Sequence, residues 1–243
     1  MQSYQLLLIY GMNVIITGAS RGIGYAIAQH FAKEGCRLLL CASNQVNLEL
    51  AVNAIHKAYP KTEVLYYVAN LSEVSEVKAF GAWCLQYGAP DILVNNAGKF
   101  EPGNCMDEAE GQMDAMMRIN FYSAYHLTRA LLPSMIQAGR GHIFNMCSIA
   151  SLHAYPGGGS YSISKHALHG FSLNLRHELK TKGIKVTAVY PGAVFTDSWV
   201  GFDNSTGRIM EAEDIAALVV ATSQLSPQAT VEQLVVRPQL GDL

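Results

Sequence analysis

The chain has 243 residues, 50% of them hydrophobic and only 15% charged, with a formal net charge of −2. That balance excludes a disordered chain, supplies enough apolar side chain for a large α/β core, and leaves no run of Lys or Arg with which to bind nucleic acid. The apolar run Leu6 to Ile9 is too short to span a membrane and lacks the basic start and cleavage site of a signal peptide.

Residues 1–12 read as an N-terminal extension, because Met12 directly precedes the first strong strand, and residues 13–243 read as one domain. Asn13 to Thr17 is a short apolar strand that runs into a glycine turn. Ile23 to Lys33 has helical apolar spacing and stops at Gly35. Arg37 to Cys41 is a second buried-type strand. A helix from about Asn47 to Tyr59 follows and ends at Pro60. Glu63 to Val68 is the third strand, and Ser72 is placed to cap the next helix. Asp91 to Val94 is the fourth strand, ending in Asn95-Asn96-Ala97-Gly98. A long helix is expected from about Asp107 to Ile136, stopping at Gly139. His142 to Met146 is the fifth strand, and the helix carrying Tyr161 is expected to run to about Lys182. Ile184 to Val189 and Glu232 to Val236 complete the strands, with a short helix near Asp214 to Ala221 between them. Repeated strand–helix–strand units imply one doubly wound parallel sheet of about seven strands, with helices on both faces and right-handed crossovers. Near-continuous apolar strands fit burial on both faces.

Three groups of residues carry chemistry. Gly18, Gly22 and Gly24 follow the first strand in a Gly-x-x-x-Gly-x-Gly spacing. Such a turn lets the N–H groups of the next helix face a pyrophosphate. Ser148 follows the fifth strand, so its hydroxyl belongs at the carboxyl edge of the sheet, where open α/β folds bind ligands. Tyr161 and Lys165 are four residues apart, on one helix face. An ammonium about 4 Å from a phenol, at an effective dielectric of about 20, favours the phenolate by about 4 kcal/mol. That is about three pKa units at about 1.36 kcal/mol each, enough to bring a tyrosine from about 10 towards the neutral range of a general acid. Alone, Ser148 reads as a loop cap, Tyr161 as a half-buried aromatic and Lys165 as a solvated charge. Their joint order reverses that reading.

The five cysteines, Cys36, Cys41, Cys84, Cys105 and Cys147, are odd in number and form no Cys-x-x-Cys pair. They read as reduced core residues of a cytoplasmic protein. His166 and His169 lack a third ligand, so no metal is expected.

With these motifs in place, the chain from Asn13 to about Val236 resembles the short-chain dehydrogenase/reductase family. Thr17-Gly-Ala-Ser-Arg-Gly-Ile-Gly24, Asn95-Asn-Ala-Gly98, Ser148, Tyr161-x-x-x-Lys165 and Pro191-Gly192 match its motifs in order. The resemblance implies a single Rossmann-type domain and a hydride-transfer site. In it Tyr161 is the acid/base, Ser148 holds the substrate oxygen, and Lys165 holds the nicotinamide ribose and lowers the Tyr161 pKa. Asn120 would anchor a proton-relay water. Gly18, Ser20, Arg21, Gly22, Ile23 and Gly24 would meet the phosphates and ribose. Asn70 and Leu71 would border the adenine, although the family usually has aspartate where Asn70 stands. Asn96, Ala97 and Gly98 would line the cofactor, and Pro191, Gly192, Val194 and Thr196 would hold its nicotinamide end. The resemblance also implies a homodimer or homotetramer packed through the helices at 107–136 and 161–182.

The cofactor type follows from the end of the second strand. NAD enzymes place an acid there to bind the ribose 2′-hydroxyl. Cys41-Ala42-Ser43-Asn44 has none. Arg21 offers a cation to a 2′-phosphate, and Ser43 and Asn44 offer donors, so NADP(H) is favoured over NAD(H). The expected reaction is reduction of a small-molecule carbonyl to an alcohol, or the reverse. The alternatives are a 3-oxoacyl-[acyl-carrier-protein] reductase, whose glycine-rich tail this chain lacks, and a non-catalytic cofactor sensor or scaffold. The segment Phe195 to Met210, with Trp199, Phe202 and Ile209, reads equally as a partly apolar lid or as an ordinary surface loop.

Overall fold

The computed structural model describes residues 9–196, 199 and 201–242. Leu6 to Leu8 of the first apolar run, and Asp197, Ser198 and Val200 of the lid segment, lie outside the described residues. The strands are β1 (Asn13–Thr17), β2 (Arg37–Ala42), β3 (Val64–Val68), β4 (Ile92–Asn95), β5 (Gly141–Met146), β6 (Ile184–Pro191) and β7 (Gln233–Val236). They form one seven-stranded sheet in the order β3-β2-β1-β4-β5-β6-β7, with every neighbouring pair parallel. The chain leaves β1 for β2 on one side and returns to place β4 on the other. That reversal opens a crevice between the carboxyl ends of β1 and β4.

Burial on both faces follows from the alternation of side chains along each strand. Val14 and Ile16 of β1 join Leu38, Leu40 and Phe144 in one core, against α1 (Gly22–Lys33), α2 (Gln45–Ala58) and α7 (Ala212–Ser223). Ile15 of β1 joins Leu39, Leu93 and Ile143 in the opposite core. That second core packs on α3 (Val74–Leu85), α5 (Ser123–Ala138) and α6 (Gly159–Leu179). Each fully buried Leu, Ile or Phe contributes about 1.5–3 kcal/mol to holding these layers together. Residues 9–12 dock on the domain as well: Ile9 is buried, and Cys36 Sγ and Met12 N both donate to its carbonyl.

Several expected boundaries move, each for a local reason. The α2 helix begins at Gln45, earlier than expected, because Asn44 caps it by accepting a hydrogen bond from Asn47 N. Ser72 is not the cap of α3. Glu73 holds that position, and Ser72 N instead donates to Asn70 Oδ1 in a turn. The long helix expected from Asp107 is three pieces. Gly111 takes φ +84°, which prevents an earlier start, and α4 spans Gln112–Met117. A π-helical turn at Arg118–Tyr122 then precedes α5. Helix α6 ends at Leu179, short of Lys182, where the chain turns through Lys182 N to Leu179 O. Cys105 is exposed, not part of a core, whereas Cys36, Cys41, Cys84 and Cys147 are buried and free. Burial pushes the Cys41 thiol up to about 12 and the Cys147 thiol up to about 11, which leaves them unreactive at neutral pH.

Candidate active site

The glycine turn is stitched to the neighbouring strand. Thr17 Oγ1 accepts from Asn96 N at 3.0 Å and Ala97 N at 2.9 Å. Asn96 Nδ2 donates to Thr17 O and Gly18 O at 3.0 and 3.1 Å. Thr17 was not among the expected site residues, and its position just before Gly18 is the only sequence signal for this role. Gly18 and Gly22 take φ +65° and +55°, conformations that only glycine adopts freely. Gly24 differs from expectation. It does not face the groove, because a Cβ there would run into Gly18 O and Asn96 Nδ2. Its function is to let α1 sit close under the turn.

In front of the turn lies a groove of about 900 Å³. Gly18, Ser20, Arg21, Gly22 and Ile23 form one wall, Ser43, Asn44, Asn70 and Leu71 a second, and Asn96, Ala97, Gly98 and Thr196 a third. Among the described residues lining it there is no Asp or Glu, while Arg21 and Arg118 are both present. The absence of side chain at Gly18, the extended groove and the helix start beyond it fit a dinucleotide with its pyrophosphate at α1. Asn44 and Asn70 already spend side-chain oxygens on Asn47 N and Ser72 N. Their amide nitrogens keep donor capacity.

A second cavity of about 610 Å³ shares Ile23, Asn96, Gly98 and Thr196 with the groove. Ser148, Tyr161, Lys165, Pro191, Gly192 and Val194 line it. The Tyr161 ring meets Phe100 edge-on, with centroids 4.9 Å apart. Lys165 is 6% exposed and donates from Nζ to Met146 O at 2.7 Å. Its nitrogen lies 5.9 Å from the Tyr161 ring centroid.

Burial corrects the expected electrostatics. Burial pushes the Tyr161 phenol up to about 12, against a hydrogen bond with Ser148 that lowers it. Burial also brings the Lys165 ammonium down to about 8. Desolvation of the charged form is the leading cause at both residues. Tyr161 therefore rests as a neutral phenol, which is the form that donates a proton.

Asn120 sits in the π-helical turn and is 1% exposed. Its Oδ1 accepts from Lys99 N, and its Nδ2 donates to Lys99 O and Ser164 Oγ. A Cβ on Gly98 would lie 3.0 Å from Asn120 Oδ1 and 3.5 Å from Lys165 Nζ, so both groups converge on that glycine. Ser164, within the Tyr-Ser-Ile-Ser-Lys run, was not singled out in the sequence. It links Asn120 to the carbonyl of Tyr161.

Trp199 lines the cavity and packs on Phe202 at 5.2 Å, but Ile209 is buried in the body of the protein. A wall that the sequence did not reveal comes from residues 237–242. Arg208 donates to Gly241 O and Asp242 O, each at 3.0 Å. Arg237 pairs with Asp242, and both line the cavity.

Among the described residues, no group of three or more His, Cys, Asp or Glu is arranged to hold a metal ion, and no helix is long and apolar enough to cross a membrane. His166 Nδ1 contacts Ser162 O and His169 Nδ1 contacts Tyr190 Oη instead.

A Rossmann-type sheet with a phosphate-type turn beside a Ser–Tyr–Lys cavity places the chain in the oxidoreductase class. The short chain dehydrogenase family profile matches residues 12–205. The chain is 35% identical over 211 residues to a dehydrogenase/reductase SDR family protein 7-like of Drosophila melanogaster, covering 83% of this chain and 64% of that relative. It is 30% identical to an uncharacterised oxidoreductase of Staphylococcus aureus, covering 92% of this chain and 96% of that one. Among solved structures, a metagenomic short-chain oxidoreductase in complex with NADP is 32% identical, with a TM-score of 0.83 over 95% of this chain and 98% of that one. The chain belongs to the short-chain dehydrogenase/reductase family.

Proposed function

We propose that the protein is an NADP(H)-dependent carbonyl reductase, or alcohol dehydrogenase in reverse, acting on a small molecule. One observation carries this reading: the cavity holding Ser148 and Tyr161 shares its walls with the groove in front of the glycine turn. The groove residues would hold a nicotinamide cofactor, which would supply the hydride for the carbonyl carbon. Tyr161 gives its phenolic proton to the carbonyl oxygen, and Ser148 hydrogen-bonds the same oxygen as negative charge develops there. Lys165 and Asn120, converging on Gly98, hold the ribose side and the path by which Tyr161 is reprotonated. Gly18, Ser20, Arg21, Gly22, Ile23, Asn96 and Ala97 seat the phosphates and ribose, with Gly24 acting through the turn. Asn70 and Leu71 border the adenine, and Pro191, Gly192, Val194 and Thr196 the nicotinamide.

The preference for NADP(H) over NAD(H) is supported by the lack of carboxylates along the described groove and by Arg21, Ser43 and Asn44 among its lining residues. A homodimer or homotetramer is supported by apolar side chains exposed along the two expected helices: Tyr122, Ile136, Ile163 and Leu173. Four buried free thiols support a reducing, cytoplasmic setting.

The test is loss of NADPH absorbance with a panel of ketones, diketones and acyl thioesters. Turnover with at least one class is expected, faster with NADPH than with NADH at matched concentration. Tyr161→Phe is expected to lower kcat by about 100-fold or more. Equal turnover with NADH would reverse the cofactor assignment, and wild-type turnover by Tyr161→Phe would remove the mechanism.

A further inference from the structure

Helix α6 carries Tyr161 and Lys165, yet its own sequence does not cap it. Gly157 and Gly158 precede the first turn and Gly159 opens it, and Gly158 at the N-cap makes no side-chain hydrogen bond. The free N–H groups of a helix start require partners. Here the partner comes from 52 residues upstream. Glu108 Oε1 accepts from Ser160 N at 2.7 Å, and Glu108 Oε2 accepts from Ser160 Oγ. Ser160 is fully buried and is covalently next to Tyr161.

The approach is built for this contact. A Cβ on Gly159 would collide with the Glu108 carboxylate and with Gly103 O, so only glycine admits the carboxylate. Two further bonds tie the same segments together: Gly103 N donates to Gly157 O at 3.0 Å, and Gly157 N donates to Asn104 Oδ1 at 3.1 Å. The other end of the 99–108 segment is fixed by Asn120 at Lys99. Between the two anchors lies Phe100, edge-on to Tyr161.

We propose that Glu108 is a positioning residue: its carboxylate clamps the first turn of α6 and sets where the Tyr161 hydroxyl meets the substrate carbonyl. It touches neither cavity. Its contribution is reach and geometry, two acceptors delivered to Ser160, and not negative charge. The effect on turnover rests on the carbonyl-reductase reading, because misplacing a reacting group by about 1 Å costs up to about 100-fold in rate.

Three variants separate the possibilities. Glu108→Gln keeps the reach and one acceptor and can donate to Ser160 Oγ. Glu108→Asp keeps the charge but retracts it by one methylene, and Glu108→Ala removes both. Steady-state kinetics are measured with NADPH and the best substrate of the panel, alongside the thermal midpoint and the NADPH dissociation constant. Glu108→Ala and Glu108→Asp are expected to lose about 10- to 100-fold in kcat, with NADPH affinity within about twofold of wild type, and Glu108→Gln is expected to recover to within about threefold. Should Glu108→Ala fail to fold, the Asp and Gln pair decides. Wild-type kcat in Glu108→Asp overturns the proposal. So does a loss in Glu108→Gln equal to that in Glu108→Asp, or a kcat loss matched by an equal loss of NADPH affinity. Amide hydrogen exchange of residues 159–162 keeps the two readings apart. If the wild type turns over no substrate but Glu108→Asp exchanges these amides about tenfold faster, the clamp stands and the reductase reading falls. Unchanged exchange removes the clamp.

Discussion

Lys165 Nζ is hydrogen-bonded to Met146 O at 2.7 Å, and the Tyr161 phenol is pushed up to about 12 chiefly by burial. A neutral phenol is matched to reduction, in which it must give a proton, and poorly matched to oxidation, in which it must take one. Reductive kcat/KM is therefore expected to stay flat between about pH 6 and pH 8, while the oxidative rate rises up to about tenfold per pH unit as the phenolate fraction grows. A flat oxidative profile over that range would contradict the assignment. Ser148 supplies the leading interaction that lowers the Tyr161 pKa. Ser148→Ala should thus cost about 100-fold in reductive kcat through loss of oxyanion stabilisation and displace the oxidative profile to higher pH. Kinetics across pH for both directions check both effects together.

The glycine turn acts as an element, not as a set of contacts. Gly24 faces away from the groove, and a side chain there must displace α1 from Gly18 O. Gly24→Ala is expected to weaken NADPH binding about tenfold or more, because the N–H groups of α1 move off the pyrophosphate position, while circular dichroism stays native-like. Fluorescence titration with NADPH measures this, and wild-type affinity would show that α1 tolerates the shift. The split helix between Gly111 and Ala138 is the other decisive element. Its π-helical turn at Arg118–Tyr122 rotates Asn120 towards Lys99 and Ser164, which a continuous α-helix with i→i−4 bonds would not do in the same register.

At the level of the whole molecule, two cores clamp one sheet, and a histidine sits inside it. His142 is 5% exposed, stacks on Phe144 at 4.0 Å, and contacts Thr187 Oγ1 through Nε2 at 2.8 Å. Thr187 Oγ1 itself donates to Val231 O at 2.6 Å, so it accepts from His142 Nε2–H, and the ring is held neutral. Burial, with Lys185 adding repulsion, brings its pKa from 6.5 down to about 3. In that window the unfolded chain binds a proton that the folded protein refuses. Stability is complete above about pH 6.5 and falls as pH drops towards about 3. His142→Gln should flatten that decline by up to about 1.4 kcal/mol per pH unit, read from denaturation midpoints at several pH values. Parallel slopes in both proteins would show that other groups carry the acid sensitivity.

The seven parallel strands and their two-sided burial were legible in the sequence. They depend on local periodicity and on short spacings that a strand or helix converts directly into direction. The resting protonation of Tyr161 and Lys165 was not legible, because four residues of spacing give a shared face but not the desolvation that leads the shift at both residues. Nor were Thr17 beneath the glycine turn, the 237–242 wall, or Glu108 on Ser160, since each joins residues far apart in the chain. Such contacts follow from how finished elements pack, and a long-range hydrogen bond leaves no period in the sequence to read.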